Sequence, residues 1–275
     1  MRVPRRNHSL HDLNPGHPRL RPAPPADLQH RRKVRHAHPL LGLLALFTAA
    51  LSALLGMAGG MLFMAGLTLL LPVPTAMVLH GATQLISNGS RALLLGRHLR
   101  AAVLGPYLAG ALLLGALLWP VRVVPDPAVV FLTLGLLPLI ALALPRSPQL
   151  SIERPAMALL AGVVVTAAQL TAGVGGPLLD VFFVHSALPR EEIVATKAAT
   201  QVLAHGIKIV WFAGLAEVLP EPALLVACAL PAVLGAALGS RLLRALPEAT
   251  WQRATRAVLA GLGLLSLGRG LLLLA

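Results

Sequence analysis

From Pro39 to Leu79 the chain carries no charged side chain. A single helical crossing of a bilayer takes about 20 apolar residues. One straight helix cannot absorb this run. Gly56, Gly59 and Gly60 fall in its middle, and glycine is where a helix yields most readily. The run therefore predicts two half-helices joined by a break.

Composition sets the surroundings of that break. Hydrophobic residues make up 56% of the chain and charged residues 12%, with a mean hydropathy of +0.77. Soluble domains carry about 25% charge. The apolar runs are continuous, rich in Leu and Ala, and lack the period-two alternation of a barrel strand. The expected fold is an all-α integral membrane protein with about eight transmembrane segments. Helices are expected at 76–95, 101–119 and 127–145. A second long broken segment follows at 155–186, with Gly173, Gly175, Gly176 and Pro177 at its middle. Further helices are expected at 191–213, 222–240 and 254–273. The order repeats: broken helix, polar helix, two plain helices, twice over. Three regions result: a disordered basic N-terminal tail at 1–38, a first membrane repeat at 39–150 and a second at 151–275.

The net charge of +13 does not point to nucleic acid. Much of it lies in the tail, which has none of the interleaved aromatics that stack on bases. The rest lies in short loops. The tail histidines read as a solvated segment, and the tail lacks the form of a cleavable signal. Cys228 is the one cysteine and reads as a small buried hydrophobe. Basic loops belong in the cytoplasm. The candidates are the tail, the loop with Arg97 and Arg100, the loop with Arg146 and Arg154, and the loop from Arg241 to Arg256. The loop at 214–221 carries Glu217 and Glu221 and no basic residue. Eight simple crossings place 214–221 inside and 241–256 outside, the wrong way round. A second broken segment that dips in and returns to its own side repairs this, and makes the two polar helices run in opposite directions. Strict symmetry asks the first segment to do likewise, which puts the tail outside. Both topologies fit the sequence.

The polar helices carry the chemistry. Thr83-Gln84, Asn88-Gly89 and Arg91 recur with identical spacing as Thr200-Gln201, His205-Gly206 and Lys208. Positions i, i+4, i+7 and i+8 share a helix face. His80, Gln84, Asn88 and Arg91 form one stripe, and Lys197, Gln201, His205 and Lys208 form the other. Polar side chains inside a membrane face the protein interior or a water-filled cavity, so two matching stripes can line one site. Arg91 and Lys208 also suit interfacial anchors, and the amides also suit helix–helix glue. The paired glycines Gly59-Gly60 and Gly175-Gly176 sit at the breaks, where freed N–H groups and a half-helix N-terminus favour an anion. Pro177 suits the start of such a half-helix. Gly235 and Gly239 read as close-approach glycines.

The expected substrate-binding set is Gly59, Gly60, Gln84, Asn88, Arg91, Gly175, Gly176, Thr200, Gln201, His205 and Lys208. His205 is the better candidate for coupled protonation, because its reference pKa lies near physiological pH. Asp180 is the other. No nucleophile–base set, His-Glu-x-x-His motif, P-loop or paired carboxylates occur, so neither an enzyme nor an ATP-driven pump is expected. No cofactor and no metal are implied. The expected partners are a small anionic solute and the lipid bilayer, with homo-oligomerisation left open. The rival readings are a passive channel or cation transporter using carbonyls at the breaks, and a membrane protein without transport.

Gly56-Met57-Ala58-Gly59-Gly60, Thr171-Ala172-Gly173-Val174-Gly175-Gly176-Pro177, the stretch from Val194-Ala195-Thr196-Lys197 through His205 to Lys208, and Gly235-Ala236-Ala237-Leu238-Gly239 together resemble the sulfite exporter TauE/SafE family. The likeness covers roughly residues 40–273. It implies a multi-pass permease of the bacterial inner (plasma) membrane. Such a permease would export sulfite, a sulfonate or a related organosulfur anion. The first glycine motif is poorer in glycine than the family's usual run, and the basic tail lies outside the pattern.

Overall fold

The computed structural model describes residues 26–55, 58–144, 147–184, 186–243 and 246–275. The chain divides into two compact units, Met1–Arg35 and His36–Ala275, and the second holds all packing discussed below. The described residues form ten α-helices and no strand. They are α1 (Ala26–Leu55), α2 (Ala58–Leu70), α3 (Val73–Leu94), α4 (Ala101–Leu118), α5 (Pro127–Ala143), α6 (Pro155–Ala172), α7 (Gly176–Phe183), α8 (Arg190–Ala213), α9 (Pro222–Leu243) and α10 (Glu248–Leu272). Five, from α1, α4, α6, α9 and α10, contain stretches long and apolar enough to cross a membrane.

Residues 26–38, expected as tail, are helical backbone. The expectation rested on the Pro-rich character of the tail, but 26–38 contains no proline or glycine and is rich in Ala, Leu, Gln, Lys and Arg, all good helix formers. Residues 1–25 lie outside the described residues.

Proline punctuates the chain. It occupies the first turn of α3, α5, α6 and α7 and caps α8 and α10. At these positions the missing N–H costs nothing and the fixed φ is already helical. Asp126 adds a side-chain cap on α5, accepting from Ala128 N at 2.7 Å.

Helices approach closely at glycines. A Cβ on Gly110 or Gly162 would strike the backbone carbonyl of Leu159 or Tyr107, which fixes α4 against α6. Gly235 and Gly239 lie in the same way against the carbonyls of Leu46 and Ala50, fixing α9 against α1. With no hydrophobic drive between helices in lipid, such backbone proximity supplies the packing. α3 packs on α8 and α5 on α10. Each contact therefore has a counterpart when the halves are exchanged.

Both broken segments fold back on themselves. In the first, Gly59 of α2 lies against Thr48 and Ser52 of α1, and Gly66 lies against Leu44. In the second, Gly175 lies against Val165, and Ile152 N donates to Phe182 O at 2.8 Å. Each pair of half-helices is therefore a hairpin and not one straight rod. The hairpins enter from opposite ends. Gly42 of α1 lies against Ala227 in the early turns of α9, near the 214–221 turn. The second hairpin starts beside α8, where Glu153 Oε2 accepts from Ala187 N. α3 and α8 cross antiparallel: Thr75 meets Val218, Gly81 meets Ile209 and Gly89 meets Val202.

Candidate functional site

The two hairpin tips and the two polar stripes enclose one cavity of about 330 Å³. From α3 it takes His80, Gln84, Ser87, Asn88 and Arg91, and from α8 it takes Arg190, Ile193, Val194, Lys197, Ala198, Gln201 and His205. Gly60 lines it from the first hairpin, and Val174, Gly175 and Gly176 from the second. Arg190 is exposed, Arg91 and Lys197 are partly buried, and His80 and His205 are buried. The cavity thus opens at the Arg190 end and stops at the histidines.

Of the expected residues, Gly60, Gln84, Asn88, Arg91, Gly175, Gly176, Gln201 and His205 line this space. Gly59 does not. It is pressed against Thr48 and serves the hairpin contact. Thr200 is fully buried and donates to Lys197 O at 2.9 Å, which spends its hydroxyl on the helix backbone. Lys208 is also fully buried and sits one layer behind the cavity. Its Nζ donates to Gly173 O at 2.7 Å and meets His80 Nδ1 at 2.8 Å. Asp180 faces away on α7, toward a second cavity shared with Arg256, and pairs with Lys197.

The chemistry of the lining is that of an anion host. Arg91, Arg190 and Lys197 supply positive charge, and among the described residues no acidic side chain contributes to the wall. Gln201 Nε2 and His205 Nδ1 are buried without a protein partner. A buried polar atom left unpaired is costly, so these two atoms are available to a solute or water. Asn88 spends one amide N–H on Gln84 O at 3.0 Å. Gly60 leaves room for Gln84, whose Nε2 lies 3.0 Å from where a Cβ would be. At the other tip, Gly175 precedes the first turn of α7, and backbone N–H groups at such an end are not used within the helix.

Two contributors were not singled out as site residues by sequence reasoning. Gln169 is buried in α6 and its Nε2 lies 3.5 Å from Gln201 Oε1. It is the one amide in the apolar run from Pro155 to Thr171, a signal visible in the sequence. Trp251 lines the cavity from α10 and donates Nε1 to Leu54 O at 2.7 Å. Its indole stands on the wall of that cavity, and nothing in its local sequence announces that.

Fold and site together define a multi-pass helical membrane protein with a central polar cavity. The family model for sulfite exporter TauE/SafE matches residues 41–266, so the chain belongs to the TauE/SafE family, a family of membrane transporters. No curated protein and no solved structure matches the chain.

Proposed function

We propose that the protein is a secondary transporter that exports a small anion, sulfite or a sulfonate, across the bacterial inner membrane. It does so by alternating access between two inverted repeats. The observation that carries the reading is the cavity itself: the duplicated stripe contributes Gln84, Asn88 and Arg91 from one half and Gln201 and His205 from the other, around a wall without acid. The antiparallel crossing of α3 and α8 and the entry of the hairpins from opposite ends support inversion, since related elements that run oppositely require a twofold axis in the membrane plane.

Arg91 and Arg190 draw the anion in. Gln201 Nε2 and the first-turn N–H groups of α7 bind its oxygens, and Gln84 and Asn88 orient it. Gly59, Thr200 and Lys208 act from behind, by holding hairpin, helix and break in place. A coupled proton is carried by His205, whose free Nδ1 borders the cavity. Asp180 is tied to Lys197 instead. A cation pathway is disfavoured by the three basic side chains on the wall. The loop with Arg97 and Arg100, the loop with Arg146 and Arg154, and the loop from Arg241 to Arg256 then lie in the cytoplasm.

Efflux of radiolabelled sulfite from proteoliposomes, with and without a pH gradient, tests this. Flux is expected in the intact protein and should fall at least tenfold in Arg91→Gln. Undiminished flux in that variant, or sulfite-independent cation flux, would sink the reading.

A further inference from the structure

His80 and Lys208 stand where the cavity ends. His80 Nε2 lies 3.0 Å from Gly60 O in the first hairpin. A carbonyl only accepts, so Nε2 carries the proton and Nδ1 is left as the acceptor. Lys208 Nζ then donates to Nδ1 and also to Gly173 O in the second hairpin. The result is an unbroken hydrogen-bond chain from Gly60 through His80 and Lys208 to Gly173, and it joins the two hairpins. The cavity stops at His80 and does not reach Lys208. Among the described residues no carboxylate pairs with Lys208. A further titratable group, His205, faces the pair, its ring centroid 5.5 Å from that of His80. Phe63 of α2 covers the other side of His80 at 5.6 Å.

The duplicated stripe gives each member a counterpart. Arg91 answers to Lys208, and Lys197 answers to His80. Arg91 and Lys197 both line the open cavity, and as donor-only cations they cannot bond to each other. The positions bonded to each other where the cavity ends are thus occupied, on the open side, by two like charges.

We propose that the His80–Lys208 pair is the closed gate of the path, a clasp between the two hairpins whose release opens the cavity to the face that carries the 214–221 turn. This rests on the transport reading. The clasp suits a gate because its partners are a carbonyl and a neutral ring. Each is easily replaced by water, so closing and opening exchange one set of hydrogen bonds for another.

The test places a cysteine at Gln84, inside the cavity, in a Cys228→Ala background. Vesicles of both orientations are exposed to a membrane-impermeant thiol reagent. In the parent, modification is expected from the Arg190 side only. Lys208→Met and His80→Leu each remove the clasp while keeping bulk, and each should raise the rate from the second side at least tenfold. Lys208→Arg, which keeps a donor cation, should stay one-sided. Either of the first two variants, recovered as a single species in detergent, suffices. Parent-like one-sided labelling in a folded Lys208→Met or His80→Leu protein overturns the proposal, as does two-sided labelling in the parent. Sulfite flux is measured on the same vesicles. Its absence in the intact protein would overturn the anion reading while the labelling result still judges the clasp.

Discussion

Lys197 on α8 forms an ion pair with Asp180 on α7, and this pair is the partition between two cavities. Lys197 lines the central one and Asp180 the neighbouring one. The charge that Lys197 presents to a bound anion is therefore partly cancelled from behind. Asp180→Asn should strengthen the field in the central cavity and lower the KM for sulfite efflux severalfold. Maximal rate should fall, because a tighter ground state is harder to leave. If the variant instead loses its response to a pH gradient with KM unchanged, Asp180 is a proton carrier and its pairing with Lys197 is incidental.

Adjacent residues in the duplicated motif should behave differently. Gln201 offers an unpaired Nε2 to the cavity, whereas the Thr200 hydroxyl is already bonded to Lys197 O. A hydrogen bond to a charged group is worth about 1.5–3 kcal/mol. Gln201→Ala should thus raise KM by roughly ten- to a hundredfold. Thr200→Val keeps shape and loses only an internal bond, and should change KM less than about threefold. Concentration dependence of efflux in the two variants separates them, and equal effects would place the solute elsewhere.

Much of this architecture is legible in the chain. The charge-free run and its glycines locate the first hairpin, prolines mark the helix starts, and the twofold stripe locates the cavity wall. The stripe reports which face is polar but not how deep each member lies. Arg91 and Lys208 occupy matching positions, yet one is at an open mouth and the other is sealed behind His80. That difference belongs to a single conformational state, and a repeat pattern in sequence is blind to state. The fold-back of the first segment was hidden for another reason. Periodicity shows where a helix stops, whereas the direction of the next one is set by long-range contacts such as Gly59 on Thr48 and Gly66 on Leu44.

Gly173 should tolerate no side chain. It is the C-cap of α6 with φ of 74°, a conformation that costs an L-residue about 1–2 kcal/mol. A Cβ there would also lie 2.7 Å from the sulfurs of Met64 and Met77. Gly173→Ala is expected to lower the thermal midpoint in detergent by several degrees, read by loss of the monodisperse peak after heating. Because Gly173 O holds Lys208, efflux per folded molecule should fall as well. Gly206→Ala, in a helix with open space around it, is the control and should leave both readings near the parent.

The two ends of the molecule differ in charge, and their sidedness can be measured directly. Val218 O receives Thr75 at one end. At the other, Arg100 N donates to Thr196 Oγ1 at 3.2 Å and its side chain pairs with Glu192, drawing the 96–100 turn onto the start of α8. Ser240, Trp251 and Arg190 line the same cavity. Basic turns are retained on the cytoplasmic side. A cysteine at Glu217 in a Cys228→Ala background should therefore react with an impermeant reagent added to intact cells. A cysteine at Arg253 should react only after the membrane is opened. Labelling of both from the same face would break the antiparallel arrangement of α3 and α8 on which the inverted-repeat reading depends.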